Sequence, residues 1–217
     1  MTAKKAALFD MDRTLVRRDT ATLFMRYQRD IGEASWVELL QAGWWVLLYT
    51  FGWCDAQGVA TKAFRKYAGR REDQFYESCE RWYLDYVRQH VTDAGRAAVE
   101  SHRAAGEVIA LVTGALRFAA WPLARDLGIE HVACSEVEVH DGRLTGRPRH
   151  LCYGAAKVEA ASRVAEAEGF ALDHATFYSD SITDLPLLEL VGTPVVVNPD
   201  SRLRRVALRR GWRIETW

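Results

Sequence analysis

Residues 8–20 read LFDMDRTLVRRDT and place two aspartates directly after an apolar run. The run at 6–9 is typical of a short buried strand, so Asp10 and Asp12 would follow its carboxyl end. Because side chains two residues apart in an extended strand point to the same side, the two carboxylates would lie close together. Like charges that share a site repel unless a cation or a shared proton intervenes. The stretch therefore predicts a metal, a shared proton or both, and a pair of loop or helix-capping aspartates is the open alternative.

The composition predicts a folded chain that does not need a polyanionic partner. Of the 217 residues, 49% are hydrophobic, which is enough for a sizeable core. Lys and Arg together number 29, as do Asp and Glu, so the net charge gives no reason to expect nucleic acid. The stretch 202–213 holds six arginines, but no second basic stripe supports nucleic-acid binding. We therefore expect no nucleic-acid partner.

The amino-terminal residues and the cysteines favour a cytoplasmic protein. The first ten residues contain two lysines but no long apolar stretch and no cleavage signal, so we predict no export. The four cysteines form no CxxC pair and no metal-like spacing, which favours reduced thiols. They are Cys54, Cys79, Cys134 and Cys152. The six histidines form no HxxxH or HExxH pattern, so we expect no zinc site.

From about residue 106 onward, strand-like and helix-like patterns alternate. The strand-like runs are 107–114, 131–146, 175–180 and 193–200, the second of them a hairpin that turns at Asp141-Gly142. The helix-like runs are 117–128, 154–169, 184–192 and a basic terminal helix within 202–213. This alternation predicts an α/β fold with a Rossmann-like parallel sheet and helices on both faces.

An all-helical block interrupts this α/β pattern. Residues from about 19 to 105 place apolar groups three and four apart almost without a break, as amphipathic helices do. The strand at 6–9 belongs to the sheet that resumes after the block. We therefore predict a core domain of residues 1–16 and 92–217 and an inserted helical cap domain of residues 17–91.

One apolar run lies inside the predicted cap. Residues 39–54 read LLQAGWWVLLYTFGWC, sixteen residues without a charge. A membrane-spanning helix needs roughly 20 apolar residues, so the run favours a buried or cap-forming helix. An interfacial helix that touches lipid is the alternative, and it makes membrane contact an open but less favoured expectation.

Polar residues also follow other predicted strands. Thr113 and Gly114 end the run 107–114, and a hydroxyl beside backbone N–H groups at a helix start can hold an anion. Lys157 lies in the first turn of its helix and could direct a compact positive charge at a phosphate. The stretch 178–184 reads YSDSITD and adds two carboxylates at another strand end. Each feature alone is weak, but all lie at the carboxyl ends of strands or in the following helix, where open α/β sheets bind ligands.

In their order along the chain, these motifs resemble those of haloacid dehalogenase (HAD) superfamily phosphatases. The residues that carry the resemblance are Asp10-Met11-Asp12-Arg13-Thr14, Thr113, Lys157, Ser179-Asp180-Ser181-Ile182-Thr183-Asp184 and the following Leu185-Pro186-Leu187-Leu188. The branch is that of phosphoserine phosphatase, subfamily IB, which carries a cap between its first two motifs. The resemblance covers nearly the whole chain and implies a phosphomonoester hydrolase.

The resemblance also implies roles for single residues. Asp10 would be the nucleophile that forms an aspartyl-phosphate, and Asp12 would be the general acid and base. Mg²⁺ would be the cofactor, because an all-oxygen site suits it. Its ligands would be the Asp10 side chain, the Asp12 carbonyl and Asp180, with Asp184 close by or acting through water. Thr113, Gly114 and Lys157 would bind the phosphate.

The substrate is expected to be a small phosphorylated metabolite, phosphoserine-like or histidinol phosphate. Asp19 stands where phosphoserine phosphatases carry a glutamate that meets the substrate amine, and an N-cap for the following helix is the alternative. Arg13, like Arg117, could attract an anionic substrate. Ala115-Leu116 replace the usual Gly-Phe and Ser179 replaces a glycine, which points away from phosphoserine and toward a sister group that includes histidinol phosphatases.

Five tryptophans in the predicted cap have two interpretations. They could stack on an imidazole or receive an alkyl chain, or they could pack helix against helix. They are Trp36, Trp44, Trp45, Trp53 and Trp82. The alternative to a metabolite phosphatase is accordingly a membrane-peripheral or lipid-phosphate-acting protein that docks through this apolar, Trp-rich cap.

Overall fold

The computed structural model describes residues 3–33 and 64–217. Its sheet has seven strands in the order β4-β3-β2-β1-β5-β6-β7. The strands are β1 Ala6–Phe9, β2 Val108–Leu116, β3 His131–His140, β4 Arg143–His150, β5 Ala175–Ser179, β6 Thr193–Val197 and β7 Arg213–Glu215. Every neighbouring pair is parallel except β3 and β4, which form an antiparallel hairpin. The predicted α/β fold is confirmed.

Helices cover both faces of the sheet. They are α1 Thr20–Asp30, α2 Glu72–Trp82, α3 Asp93–Ala104, α4 Arg117–Leu127, α5 Ala155–Glu168, α6 Leu185–Leu188 and α7 Ser201–Arg210. Successive residues of β1 point to opposite faces, so Ala7 and Phe9 enter one apolar cluster, and Ala6 and Leu8 enter the other. Both faces of this central strand must be covered, which explains its continuous apolar sequence.

The first cluster lies under α3 and α4, which contribute Val99, Phe118 and Leu123. The second lies under α5 and α7, which contribute Ala160 and Leu203. The amphipathic patterns of these helices therefore serve the two sides of one sheet.

Two predicted boundaries are wrong. We expected β2 to end at Thr113-Gly114, but the strand continues to Leu116, because residues beyond its last partner in β1 still pair with β3. We also expected a helix to close the chain. Instead Gly211 ends α7 in a left-handed conformation, and β7 pairs in parallel with β6. A three-residue strand is too short for a sequence pattern to reveal.

The described part of the helical insertion contains α1 and α2. The almost uninterrupted helix that the sequence suggested breaks after α2 into a π-helical turn, Tyr83–Val87, and a 3₁₀ turn, Arg88–His90. Thr92 then starts α3, where its hydroxyl oxygen accepts the N–H of Gly95 at 3.1 Å. The domain division at residues 17 and 91 stays a prediction.

The apolar run 39–54 lies outside the described residues, together with Trp36, Trp44, Trp45 and Trp53. Trp82 is buried and meets Phe24 edge-to-face at 5.3 Å, so for this tryptophan the packing interpretation holds. Among residues 3–33 and 64–217, the helices are all too short or too polar to cross a membrane.

Candidate active site

Asp10 begins the loop that follows β1. Its backbone N–H donates to the carbonyl oxygen of Tyr178 at 2.9 Å, which extends the ladder between β1 and β5 by one residue. Its carboxylate is buried, and Oδ1 accepts a hydrogen bond from Lys157 Nζ at 2.8 Å. Burial raises the pKa of Asp10 to about 6, although the ammonium of Lys157 opposes that rise. At neutral pH the carboxylate is therefore ionised and held in one direction.

Lys157 links three segments that are distant in sequence. It lies in the first turn of α5 and is buried, and Nζ also donates to Asp184 Oδ2 at 2.7 Å. Burial alone would lower the pKa of Lys157, but the carboxylates of Asp10 and Asp184 outweigh that effect and raise it. Ser179 Oγ donates to the same Asp184 oxygen at 2.7 Å. The serine that replaces the usual glycine thus orients Asp184.

Asp12 has different surroundings from Asp10. Its Oδ1 accepts the backbone N–H of Thr20 at 2.7 Å, at the start of α1. Asp19 caps that helix, because its Oδ1 accepts the N–H of Thr22 at 2.9 Å. Burial and the nearby charge of Asp19 raise the pKa of Asp12 to about 7. Near neutral pH, Asp12 is therefore poised to hold or release a proton.

Asp180 is a buried carboxyl that receives no hydrogen bond from any side chain or N–H in the described ranges. Burial, followed by the charges of Asp10 and Asp184, raises its pKa to about 8. Arg13 opposes this rise, so its guanidinium lies within electrostatic reach of the carboxyl. The charges of Asp10 and Asp184 thus act on Asp180, whereas its place in a shared metal site stays a prediction.

Thr113 lies at the same edge of the sheet. Since Phe9 pairs with Leu111, Thr113 is level with the residue after Asp10. Thr113 is buried, and its Oγ1 accepts the N–H of Ala115 at 3.1 Å. None of the described contacts joins it to Asp10 or Lys157.

Gly114 passes beneath an aromatic ring. A Cβ added at this glycine would lie 2.9 Å from Tyr153 Cδ2. Tyr153 therefore covers the backbone of the predicted phosphate-binding segment, and only a glycine fits there without moving the ring. By contrast, the expectation that Arg117 serves the site is not supported by its contact, an ion pair with Glu72 of α2.

The sequence matches the profile of haloacid dehalogenase-like hydrolases over residues 7–189, which is most of the chain. The chain belongs to the haloacid dehalogenase-like hydrolase family. The resemblance seen in its motifs is therefore confirmed. The hydrolase is a phosphatase, as its relatives are.

Two relatives and one solved structure show how this hydrolase compares with known proteins. A phosphoserine phosphatase from Mycobacterium tuberculosis is 34% identical over 96% of this chain and 70% of its own length. A histidinol-phosphatase from Neisseria meningitidis is 28% identical over 96% of this chain and 97% of its own. A protein of unknown function from Bordetella pertussis has 31% identity and a TM-score of 0.90, with 99% of both chains covered.

Phosphatases of this family generally use Mg²⁺, and the donor chemistry of this hydrolase fits such an ion. The side chains at the site are carboxylates, which suit a hard cation. Asp180 receives no hydrogen bond from the described residues, and burial beside Asp10 and Asp184 raises its pKa, so a bound cation would favour its ionised form. Within 3–33 and 64–217, no three His, Cys, Asp or Glu side chains already form a ligand cluster. Lys157 instead bonds both Asp10 and Asp184.

Two residues after β6, Asn198 and Asp200, also reach the site, although neither belongs to the motifs that predicted it. Asp200 accepts the N–H of Ile182 at 2.6 Å, and its own N–H donates to the Asp180 carbonyl at 2.8 Å. Asn198 Nδ2 donates to the carbonyl of Arg13 at 3.1 Å. Both belong to the polar end of the run 193–200, and their place at the carboxyl end of a strand is the signal in the sequence that points to them.

Proposed function

We propose that the hydrolase is a Mg²⁺-dependent phosphomonoester hydrolase that works through an aspartyl-phosphate at Asp10. The observation that carries the proposal is that two carboxyls only two residues apart, those of Asp10 and Asp12, have different surroundings. Lys157 holds Asp10 in place in its ionised form, whereas Asp12, with a pKa raised to about 7 by burial and by Asp19, can carry a proton. Because an ammonium contacts Asp10 and not Asp12, the surroundings suit Asp10 to the role of nucleophile and Asp12 to the role of acid.

In the first half-reaction, an Asp10 carboxylate oxygen attacks phosphorus as the bond from phosphorus to the ester oxygen breaks. Protonated Asp12 gives its proton to the departing alkoxide, so a neutral alcohol leaves. In the second half-reaction, Asp12, now a carboxylate, removes a proton from a water that attacks the same phosphorus. Inorganic phosphate leaves, Asp10 regains its carboxylate, and Asp12 regains its proton.

The remaining residues would hold the phosphoryl group. The ammonium of Lys157 would also donate to phosphate oxygens. Thr113 would donate its hydroxyl, and Gly114 its backbone N–H. Such positioning and charge compensation account for most of the catalysis of phosphoryl transfer.

Asp10, the backbone carbonyl of Asp12, Asp180 and Asp184 would hold the Mg²⁺. When bound, the ion supplies positive charge that offsets the repulsion between the phosphate and the carboxylates. The position of the buried Asp180 carboxyl within electrostatic reach of Asp10 and Asp184 supports this assignment.

Metal binding can be tested through stability, without any activity measurement. A carboxyl whose pKa is raised by folding stabilises the protein at low pH, and this contribution is lost as pH rises through the folded-state value. For Asp180, this stabilisation is lost over the pH range from its ordinary pKa of 3.8 to about 8. We expect Mg²⁺ to raise the wild-type Tm on the order of 5 °C at pH 8 and much less at pH 5.

The matched variant is Asp180→Asn, measured by thermal unfolding in EDTA and in saturating Mg²⁺. In EDTA at pH 8 it should melt above wild type, because it lacks the repelled charge, and Mg²⁺ should stabilise it little. An equal Mg²⁺ effect on both proteins at pH 8 would remove Asp180 from the proposed ligand set.

The proposed substrate is a small cytoplasmic metabolite that carries both a phosphate and an amine. Asp19 lies close enough to raise the pKa of Asp12, so its charge could pair with an ammonium beside the reacting phosphate. Arg13 is exposed, directly after Asp12 in the chain, and could attract the anion. The relatives named for phosphoserine and histidinol phosphate support an amine-bearing substrate. The buried free thiols of Cys79, Cys134 and Cys152 suit a reducing compartment.

A substrate panel tests this assignment. It should contain histidinol phosphate, phosphoserine, a sugar phosphate and lysophosphatidate, with phosphate release measured in Mg²⁺. We expect the amine-bearing compounds to give the highest kcat/KM, and Asp19→Asn to reduce that preference about tenfold or more. A preference for the sugar phosphate would contradict the amine proposal, and one for lysophosphatidate would favour the lipid-phosphate alternative.

A further inference from the structure

The loop that carries Asp10 and Asp12 contains a backbone conformation that an arginine seldom adopts. Among the described residues, three that are not glycine have positive φ: Arg13 at 55°, Asp141 at 48° and Asn198 at 43°. Such values bring Cβ close to the backbone and cost free energy in most residues, less so in Asn and Asp. Two of the three are joined directly, because Asn198 Nδ2 donates to the Arg13 carbonyl at 3.1 Å.

The amide of Asn198 makes hydrogen bonds on both sides. Besides Arg13, Nδ2 reaches the carbonyl of Trp217 at 3.3 Å, and Oδ1 accepts the N–H of Trp217 at 3.0 Å. Its backbone N–H donates to Glu215 at 3.0 Å. The position therefore needs a side chain that both donates and accepts and that tolerates positive φ, and asparagine meets all three requirements.

Trp217, which bonds Asn198, is itself held in place by two contacts. Its indole N–H donates to Glu215 at 2.6 Å, and its ring packs 5.3 Å from that of Tyr178. Tyr178 in turn accepts the backbone N–H of Asp10 through its carbonyl. Asn198 thus fixes the loop after Asp10 to the same packed elements that hold Asp10.

We infer that Asn198 is a positioning residue for the catalytic loop. Rotation about φ of Arg13 turns the peptide plane between residues 12 and 13, so the conformation of Arg13 sets the direction of the Asp12 carbonyl. The hydrogen bond from Asn198 anchors the peptide plane between residues 13 and 14, and from that anchored plane the φ and ψ of Arg13 set the direction of the Asp12 carbonyl. The inference rests on the proposed function, in which this carbonyl faces Mg²⁺ and the Asp12 side chain transfers the proton.

The test compares Asn198→Gly and Asn198→Asp with the wild type. Glycine accepts positive φ but has no amide, and aspartate keeps the shape and replaces the donor with an acceptor. The control Asp141→Gly changes an exposed residue of positive φ in the β3–β4 turn. Two readouts apply to each protein: hydrolysis of p-nitrophenyl phosphate in Mg²⁺, and the Mg²⁺ concentration that gives half of the metal-induced rise in Tm.

We expect both Asn198 variants to fold and to lose kcat on the order of 10–100-fold, because a small misplacement of catalytic groups has effects of that size. Their KM should change much less, and their half-saturating Mg²⁺ concentration should rise. Asp141→Gly should match wild type in both readouts. A kcat within about twofold of wild type, or an unchanged Mg²⁺ midpoint, would overturn the inference. If wild type itself released no phosphate, the proposed function would fail, while the Mg²⁺ midpoints would still test the positioning of the loop.

Discussion

Replacing Asp10 with asparagine is expected to abolish phosphate release, with a loss on the order of 10⁴-fold or more. An amide has no anionic oxygen to attack phosphorus, so no aspartyl-phosphate can form. The fold should survive, because Lys157 keeps its bond to Asp184 and a buried carboxyl with a raised pKa is replaced by a neutral group of the same shape. Steady-state phosphate release and thermal unfolding measure the two effects separately.

Two further variants test whether the loss of activity is specific to the proposed catalytic carboxylates. Asp141→Asn changes an exposed aspartate at the hairpin turn and should keep full activity. Asp12→Asn should lose about 10²–10⁴-fold on an alkyl phosphate, but less on p-nitrophenyl phosphate, whose leaving group needs little protonation. Activity that survives Asp10→Asn would remove the proposed nucleophile, and equal losses of Asp12→Asn on both substrates would argue against Asp12 as the acid.

Replacing Lys157 with methionine is expected to destabilise the folded protein and also to abolish its phosphatase activity. The side chain is 3% exposed and lies against two carboxylates that are 9% and 2% exposed. Breaking a buried ion pair from one side costs about 3–5 kcal/mol, which corresponds to roughly 6–20 °C in the Tm of a chain of this size. The exposed pair of Lys4 with Glu168 offers the control, because Lys4→Met should change the Tm little.

The loss of stability in Lys157→Met should depend on pH. Burial already raises the pKa of Asp10 to about 6 with the ammonium present, and without it the value should rise further. In the variant at pH 5, the Asp10 carboxyl is protonated and therefore needs no positively charged partner. At pH 8 its ionised form is buried without the ammonium that stabilised it. Unfolding in EDTA should therefore show a larger defect at pH 8, and adding Asp10→Asn should reduce it. A defect independent of pH would mean that lost packing, not charge, explains the effect.

The local pattern of residues was sufficient to predict the architecture and to bring candidate reacting groups to one edge of the sheet. Alternating strand-like and helix-like runs predicted the parallel sheet, because apolar periodicity reports which face of each element is buried. The contacts of Lys157 with Asp10 and Asp184 could be predicted, because carboxyl ends of parallel strands share one edge of a sheet. The end of β2 and the existence of the short strand β7 could not be predicted, because both depend on hydrogen bonding to a neighbouring strand.

Other properties of the site arise only when distant segments pack together. The contact between Lys157 and Asp10 joins residues 147 positions apart, and the raised pKa values of Asp12 and Asp180 come from burial that no local pattern encodes. The left-handed conformation of Arg13 likewise depends on Asn198, 185 residues away. Residue types and their spacing thus specify which groups can react, whereas desolvation and long-range hydrogen bonds, which exist only in the packed chain, decide their charge and direction.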